Sequence, residues 1–233
     1  MTNWSDVINN PDFVWTKNTE SVLSNADGKR TFDIASDLHS AIFDSNSDAF
    51  SDYLDFVSRA ISPYSIRDVA EYGCGNGALL YWYNRACKLS VYGYDISTAL
   101  IDKCRTMFDP NNFKIPDGTY YHVDWHLCNS VLQYIDSENA AKQLISDLIN
   151  NSNIGVFISD IKNAETQPLF YEKQMKRQNL TKEQLEHKYK DTPLRFYRKE
   201  FFSQFGKVTY YDMPKSYPDS DLKSFAVRIL LDK

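Results

Sequence analysis

Apolar and polar positions along the chain fall into two periods. Phe50, Tyr53, Leu54, Val57, Ala60 and Ile61 recur at intervals of three and four after Ser47, which predicts a helix stopped by Pro63. Short continuous apolar runs predict buried strands at 67–72, 89–95 (LSVYGYD), 123–130 (VDWHLCNS) and 155–161 (GVFISDI). Between them ALLYWYNRACK, STALIDKCRTMF and the stretch from Asp136 or Ser137 to Ile149 read as helices, with Ser97 as the cap of the second. Residues 164–192 read as polar helix, and Thr181 with Gln184 forms a capping box inside it. RKEFFSQF is a short amphipathic helix, and KVTYYDM and SFAVRILL form an antiparallel pair near the sheet edge. Strands alternating with helices predict an α/β fold with a mostly parallel sheet that gathers its ligand at the carboxyl ends of the strands. Residues 1–46, with Trp4, Phe13 and Trp15 among polar residues and the turn-like NADGKR, read as an N-terminal extension or a lid, and 47–233 as the main domain.

One short stretch changes this from a fold into a site. In VAEYGCGNGALL three of the eight glycines, Gly73, Gly75 and Gly77, alternate just behind Glu71, at a strand-to-helix junction. Glycine permits positive φ and close approach to the backbone, so the junction suits a bound molecule. Asp95, at the end of the next strand, stands where a carboxylate accepts hydrogen bonds from a ribose. The glycines alone also satisfy the dinucleotide pattern G-x-G-x-x-A at Gly73, Gly75 and Ala78. Glu71 separates the two readings. A buried acid suits a ligand with an ammonium and a sulfonium and is unfavourable beside a pyrophosphate, which is held by a bare helix N-terminus.

EYGCGNG followed by YGYDIS resembles the class I S-adenosylmethionine-dependent methyltransferases, and DWHLCNSVLQYI is similar to their fourth-strand motif. The likeness extends over about residues 47–233. It implies a Rossmann-like, seven-stranded, mostly parallel sheet with an antiparallel C-terminal hairpin, and S-adenosylmethionine as cofactor. Carried over by position, Glu71 lies near the methionine end, Gly73, Gly75 and Gly77 form the turn under the cofactor, Asp95 takes the ribose and Ile96 packs on the adenine. Cys128 and Asn129 meet the methionine moiety. The span from Asp95 to Asn129 is short for the family, so the third strand is brief or irregular within NNFKIPDGTYYH; Asp117 and His122 are the candidates there for the adenine amine. NSVLQY with FYRKEFF resembles a subset of small-molecule methyltransferases from bacterial surface-polysaccharide gene clusters.

The chemistry this implies is in-line displacement on a methyl group, for which alignment of the nucleophile is the main requirement. Asp160, where an apolar strand stops at an acid, and Tyr134, after the fourth strand, are the catalytic candidates. Asn163, Tyr197, Arg198 and Lys199 are the substrate-binding candidates, the last three as a clamp for a phosphate or carboxylate, and 164–200 would form a helical insertion over the active site. His126, inside an apolar strand, reads as a core histidine; His39, His122 and His187 show no partner in the sequence.

Composition narrows the acceptor. The net charge of −5 argues against general nucleic-acid binding, and NSVL at 129–132 lacks the Asn/Asp-Pro-Pro-aromatic turn of a DNA methyltransferase. The charge is uneven, however: residues 171–200 hold nine Lys/Arg against five acids, a solvated helical face or a surface for an anionic substrate or RNA. The four cysteines lack metal or redox spacing and read as reduced thiols, with no metal expected, and no signal peptide or membrane span is seen, which implies a cytoplasmic protein. The leading expectation is methyl transfer to O or N of a small polar metabolite, neutral or anionic. The alternatives are an RNA methyltransferase, a catalytically inactive cofactor-binding fold, and a nicotinamide oxidoreductase using Tyr211 and Lys215, whose spacing needs a helix that Pro214 interrupts.

Overall fold

A computed structural model describes residues 14–42, 47–61, 63–190, 194–217 and 220–231. Trp4 and Phe13, and the side chain of Trp15, lie outside the described residues. Among the described residues, seven strands form one sheet in the order β3-β2-β1-β4-β5-β7-β6. They are β1 (Asp68–Tyr72), β2 (Ser90–Tyr94), β3 (Phe113–Lys114), β4 (Val123–Asn129), β5 (Ser152–Ile161), β6 (Lys207–Asp212) and β7 (Phe225–Leu230). Strands β1 to β5 pair in parallel; β7 runs antiparallel to both β5 and β6. The expected fold class is therefore present, with β7 as the reversed strand.

The helices are α1 (Val14–Ser24), α2 (Thr31–Ile42), α3 (Ser47–Ile61), α4 (Ala78–Arg85), α5 (Thr98–Met107), α6 (Glu138–Asn150), α7 (Gln167–Gln178) and α8 (Lys182–Tyr189). Alternation along the strands sends Trp125, Leu127, Phe157 and Ala226 to one face, where α3, α4 and α5 bury Phe50, Val57, Leu80 and Ile101. Cys128, Val156, Ile158 and Val227 go to the other face, against Ala141, Ile145 and Leu148 of α6. The caps are those the residue types favour: Ser97 accepts from the Leu100 N–H, Ser137 from the Ala140 N–H, and Thr181 and Gln184 complete a capping box. RKEFFSQF differs from expectation in forming a 3-10 turn over Lys199–Phe205. Strand β3 has only two residues, because Pro110–Asn112 is spent on a 3-10 turn and Pro116 has no N–H to extend the ladder.

The ends of β1, β4 and β5 away from the glycine turn are joined through Asp124, which is 2% exposed. It accepts from the Arg67 backbone N–H (2.9 Å), the Arg67 guanidinium (3.0 Å) and Asn153 Nδ2 (3.2 Å). Burial opposes its ionisation, but these hydrogen bonds outweigh burial and hold the carboxyl below the usual 3.8. Asp124→Ala should cost about 1–2 kcal/mol in urea denaturation, since it removes the acceptor of the Arg67 backbone N–H and of Asn153 Nδ2, while the exposed Arg67 guanidinium turns to water. The gap to the parent should be full above about pH 4 and close as pH falls through the lowered Asp124 value.

Candidate functional site

The chain leaves β1 at Tyr72 and turns under hydrogen bonds from the Gly73 and Cys74 N–H groups to the Tyr94 carbonyl, 2.7 and 2.9 Å. Gly73 has φ +76°, and a Cβ there would lie 2.2 Å from Val131 Cγ2. Gly75 has φ +53°, and its Cβ would meet Ile42 Cδ1 at 2.8 Å. Gly73 therefore excludes a side chain on conformation and on space, and Gly75 on conformation, since the Ile42 terminal methyl can yield. Above the turn, over the carboxyl ends of β1, β2, β4 and β5, opens a cavity of about 1160 Å³.

The two acids of the motif line this cavity in unlike states. Asp95 is held as a template: Oδ2 accepts from the Gly75 N–H at 2.8 Å and Oδ1 from the Ser97 N–H at 2.9 Å. Burial raises its pKa, and the backbone donors from Ser97, Gly75 and Ile96 work against that rise. Glu71 is buried, lines the cavity, and its Oε2 has no hydrogen-bond partner. Burial, and then the neighbouring Asp95 charge, push its pKa from 4.5 up to about 8. Ile96 and Ile115 are 44% and 38% exposed at the cavity wall, two apolar surfaces where a planar ring can lie.

A second cluster sits at the ends of β4 and β5. Ser130 and Asp160 both have positive φ, +57° and +52°, a conformation costly for non-glycine residues and concentrated at functional sites. Ser130 Oγ donates to Asp160 Oδ2 at 2.7 Å, and Lys162 Nζ donates to both Asp160 oxygens at 3.0 and 3.2 Å. Gln133 Nε2 donates to Ser130 Oγ at 2.9 Å. Beside them Tyr53 bonds Ser159 Oγ (2.9 Å), which donates to Asn129 Oδ1 (2.9 Å), and Asn129 Nδ2 reaches the Tyr217 hydroxyl (3.3 Å). Burial keeps Tyr53 and Tyr217 as neutral phenols.

The structure brings Glu71, Gly73, Gly75, Asp95, Ile96, Asn129, Tyr134 and Asp160 to one cavity. Gly77 lies beneath it as the cap position of α4. Cys128 is not on the wall: it points to the opposite face of β4 from Asn129 and packs among Leu132 and Ala141. Nor are Asn163, Tyr197, Arg198 and Lys199. Asn163 accepts the Glu165 N–H at 2.9 Å, Tyr197 is buried with its hydroxyl on the Leu132 carbonyl, and Lys199 lies over the rings of Tyr210 and Phe225. Arg198, exposed, precedes the 3-10 turn without making a side-chain cap. Asp117 bonds Thr119 and Lys114, and His122 bonds Asn153, so neither candidate for the adenine amine lines the cavity. His126 is in the core, on Ser152 Oγ at 2.9 Å. Tyr211 lies in β6 and Pro214 follows it, so no helix aligns it with Lys215.

Sequence reasoning missed Lys162, Lys173, Arg177 and His39, all on the wall. Lys162 carried a local signal, two residues beyond Asp160, and Lys173 and Arg177 lie in the basic 171–200 stretch, which did not single them out. The first helices also close the cavity: Asn76 Nδ2, in the glycine turn, donates to Thr19 Oγ1 (2.9 Å) and to the Leu38 carbonyl (2.8 Å).

Residues 70–149 match the family model described as a methyltransferase domain. The chain is also similar in structure to the magnesium protoporphyrin IX methyltransferase from Synechocystis with bound SAH, at 15% identity, covering 98% of each chain with a TM-score of 0.60. It is similar to an O-methyltransferase family protein from Burkholderia thailandensis at 13% identity, covering 89% of this chain and 61% of that one, TM-score 0.57. A third likeness is to an S-adenosylmethionine-dependent methyltransferase from Clostridium acetobutylicum, at 12% identity, 79% and 92% coverage and a TM-score of 0.55. No curated protein matches the sequence. The fold is that of the Rossmann-like class I methyltransferases. The chain shares its fold with these methyltransferases, and residues 70–149, about a third of its length, match a methyltransferase domain.

Proposed function

We propose that this enzyme transfers the methyl group of S-adenosylmethionine to an oxygen or nitrogen of a small polar metabolite. The observation that carries this reading is the pair of acids on the cavity wall: a templated Asp95 and, beside the glycine turn, a Glu71 whose Oε2 lacks any partner. A buried carboxyl in that state fits a cation, and the cofactor's ammonium supplies one. Held by these backbone donors, the Asp95 carboxylate lines the cavity as an acceptor for the ribose hydroxyls. Ile96 and Ile115 flank the adenine.

The volume supports a second ligand, because about 1160 Å³ exceeds the roughly 300–1,000 Å³ of a single small-molecule site. When bound, S-adenosylmethionine supplies an electrophilic methyl. Asp160, oriented by Ser130 and Lys162, takes the proton of a hydroxyl or ammonium acceptor, and Tyr134 lines its approach. Residues 14–42 serve as a lid on the cofactor half through His39 and Ile42, and α7 covers the acceptor half through Lys173 and Arg177. Among the described residues no helix is long and apolar enough to cross a membrane.

The test is calorimetry followed by transfer. Purified protein should bind S-adenosylmethionine and S-adenosylhomocysteine with micromolar Kd, without competition from NAD. Labelled methyl should appear on a polar metabolite in a screen. Competition by NAD, or binding without turnover on any small acceptor, would count against the reading.

A further inference from the structure

The charged groups around the cavity are sorted. Every lysine and arginine on its described wall, namely Lys162, Lys173 and Arg177, comes from the end of β5 or from α7. The acids of the cofactor half, Glu71 and Asp95, lie on β1 and just after β2; Asp136 and Asp147 belong to the α6 wall. Lys173 and Arg177 are four residues apart on α7 and so share a helix face. Helix α7 is fixed in place: Phe170 and Gln174 are buried, Thr166 Oγ1 donates to the Leu222 carbonyl at 2.5 Å, and Lys173 pairs with Asp221 at 2.8 Å. Lys162, 12% exposed, aims two of its three donors at the Asp160 oxygens, which leaves one. An arginine adds a planar fork of donors matched to carboxylate or phosphate.

Resting on the methyltransferase reading above, we propose that Lys162, Lys173 and Arg177 form an oxyanion subsite, and that the acceptor is a small molecule carrying a carboxylate or phosphate seated there. The Asp160–Lys162 ion pair then has two functions. Its carboxylate faces the reacting group, and its ammonium neutralises that carboxylate while donating its remaining N–H to the acceptor's anion. The clamp expected from Arg198 and Lys199 is thereby replaced by one from the preceding strand and helix.

Inorganic phosphate and citrate serve as probes, titrated by calorimetry into protein saturated with S-adenosylhomocysteine and into unliganded protein. At least one should bind, with phosphate or citrate preferred according to which anion the acceptor carries. Binding should weaken at least tenfold in Lys173→Gln/Arg177→Gln and in Lys162→Gln, with the S-adenosylhomocysteine Kd unchanged within twofold. The double variant also breaks the Lys173–Asp221 pair, so Arg177→Gln alone, which keeps that anchor and should also weaken anion binding, decides the matter even where Lys162→Gln, which strands Asp160, fails to fold. Labelled methyl should go to sugar phosphates or carboxylated metabolites in preference to their neutral counterparts. Unaltered anion binding in the double variant or in Arg177→Gln, equal use of neutral acceptors, or transfer to RNA oligonucleotides in place of small anions would each overturn the proposal. Loss of cofactor binding by the parent would instead strike the methyltransferase reading, and the titration of unliganded protein would still decide the subsite.

Discussion

Asp95→Ala should weaken S-adenosylmethionine binding by at least about 100-fold in calorimetry. Hydrogen bonds to a charged acceptor are worth about 1.5–3 kcal/mol each, and two ribose hydroxyls are assigned to this carboxylate. The loss has a second source. Asp95 Oδ2 holds the Gly75 N–H and Oδ1 the Ser97 N–H, so alanine also releases the glycine turn and the start of α5. Asp95→Asn separates the two contributions. An amide keeps one acceptor oxygen and should retain part of the turn geometry, so its binding should fall between parent and alanine variant. If the alanine variant binds the cofactor as the parent does, the ribose assignment is wrong, whatever the fate of the rest of the site.

This part of the site was readable in sequence because it is local. Strand, glycine turn, helix and the acid after β2 are set by spacing within 69–95, and the backbone closes them onto one another through the Tyr94 carbonyl. The sheet was readable for a similar reason, since its strands are apolar runs bounded by turn residues. The acceptor half depends on long-range placement. Lys173 and Arg177 reach the cavity only because α7 is anchored to the 220–222 segment, about fifty residues further along. Nothing in the QPLFYEKQMKRQ pattern marks which face looks inward. The clamp assigned to 197–199 failed on the same ground: Tyr197 forms a bridge to Asn163 and turns into the core. Cys128 is a different case. Cys128 faces away from Asn129 and packs among Leu132 and Ala141, while Asn129 reaches the cavity.

The state of Glu71 makes cofactor binding a proton-release reaction. Burial and Asp95 place its pKa at about 8, so at pH 7 the unliganded protein carries a proton on this carboxyl. A cationic ligand favours the ionised form and expels that proton. Calorimetry at pH 7 in buffers of different ionisation enthalpy should therefore record release of nearly one proton per S-adenosylmethionine bound. Between pH 6 and 7.5 the Kd should fall about tenfold per pH unit. Stability runs the other way in the unliganded protein. Because the folded value lies above the usual 4.5, stability is lost as pH rises from about 4.5 towards 8, by up to about 1.4 kcal/mol per unit, and levels beyond. Glu71→Gln removes the titrating group. It should bind the cofactor with little pH dependence between 6 and 7.5, more weakly than the parent at pH 7.5, and its melting temperature should no longer fall as the parent's does. A parent Kd that stays flat across this range would mean that Glu71 does not face the cation, and the choice between S-adenosylmethionine and a pyrophosphate ligand would lose the charge argument on which it was made.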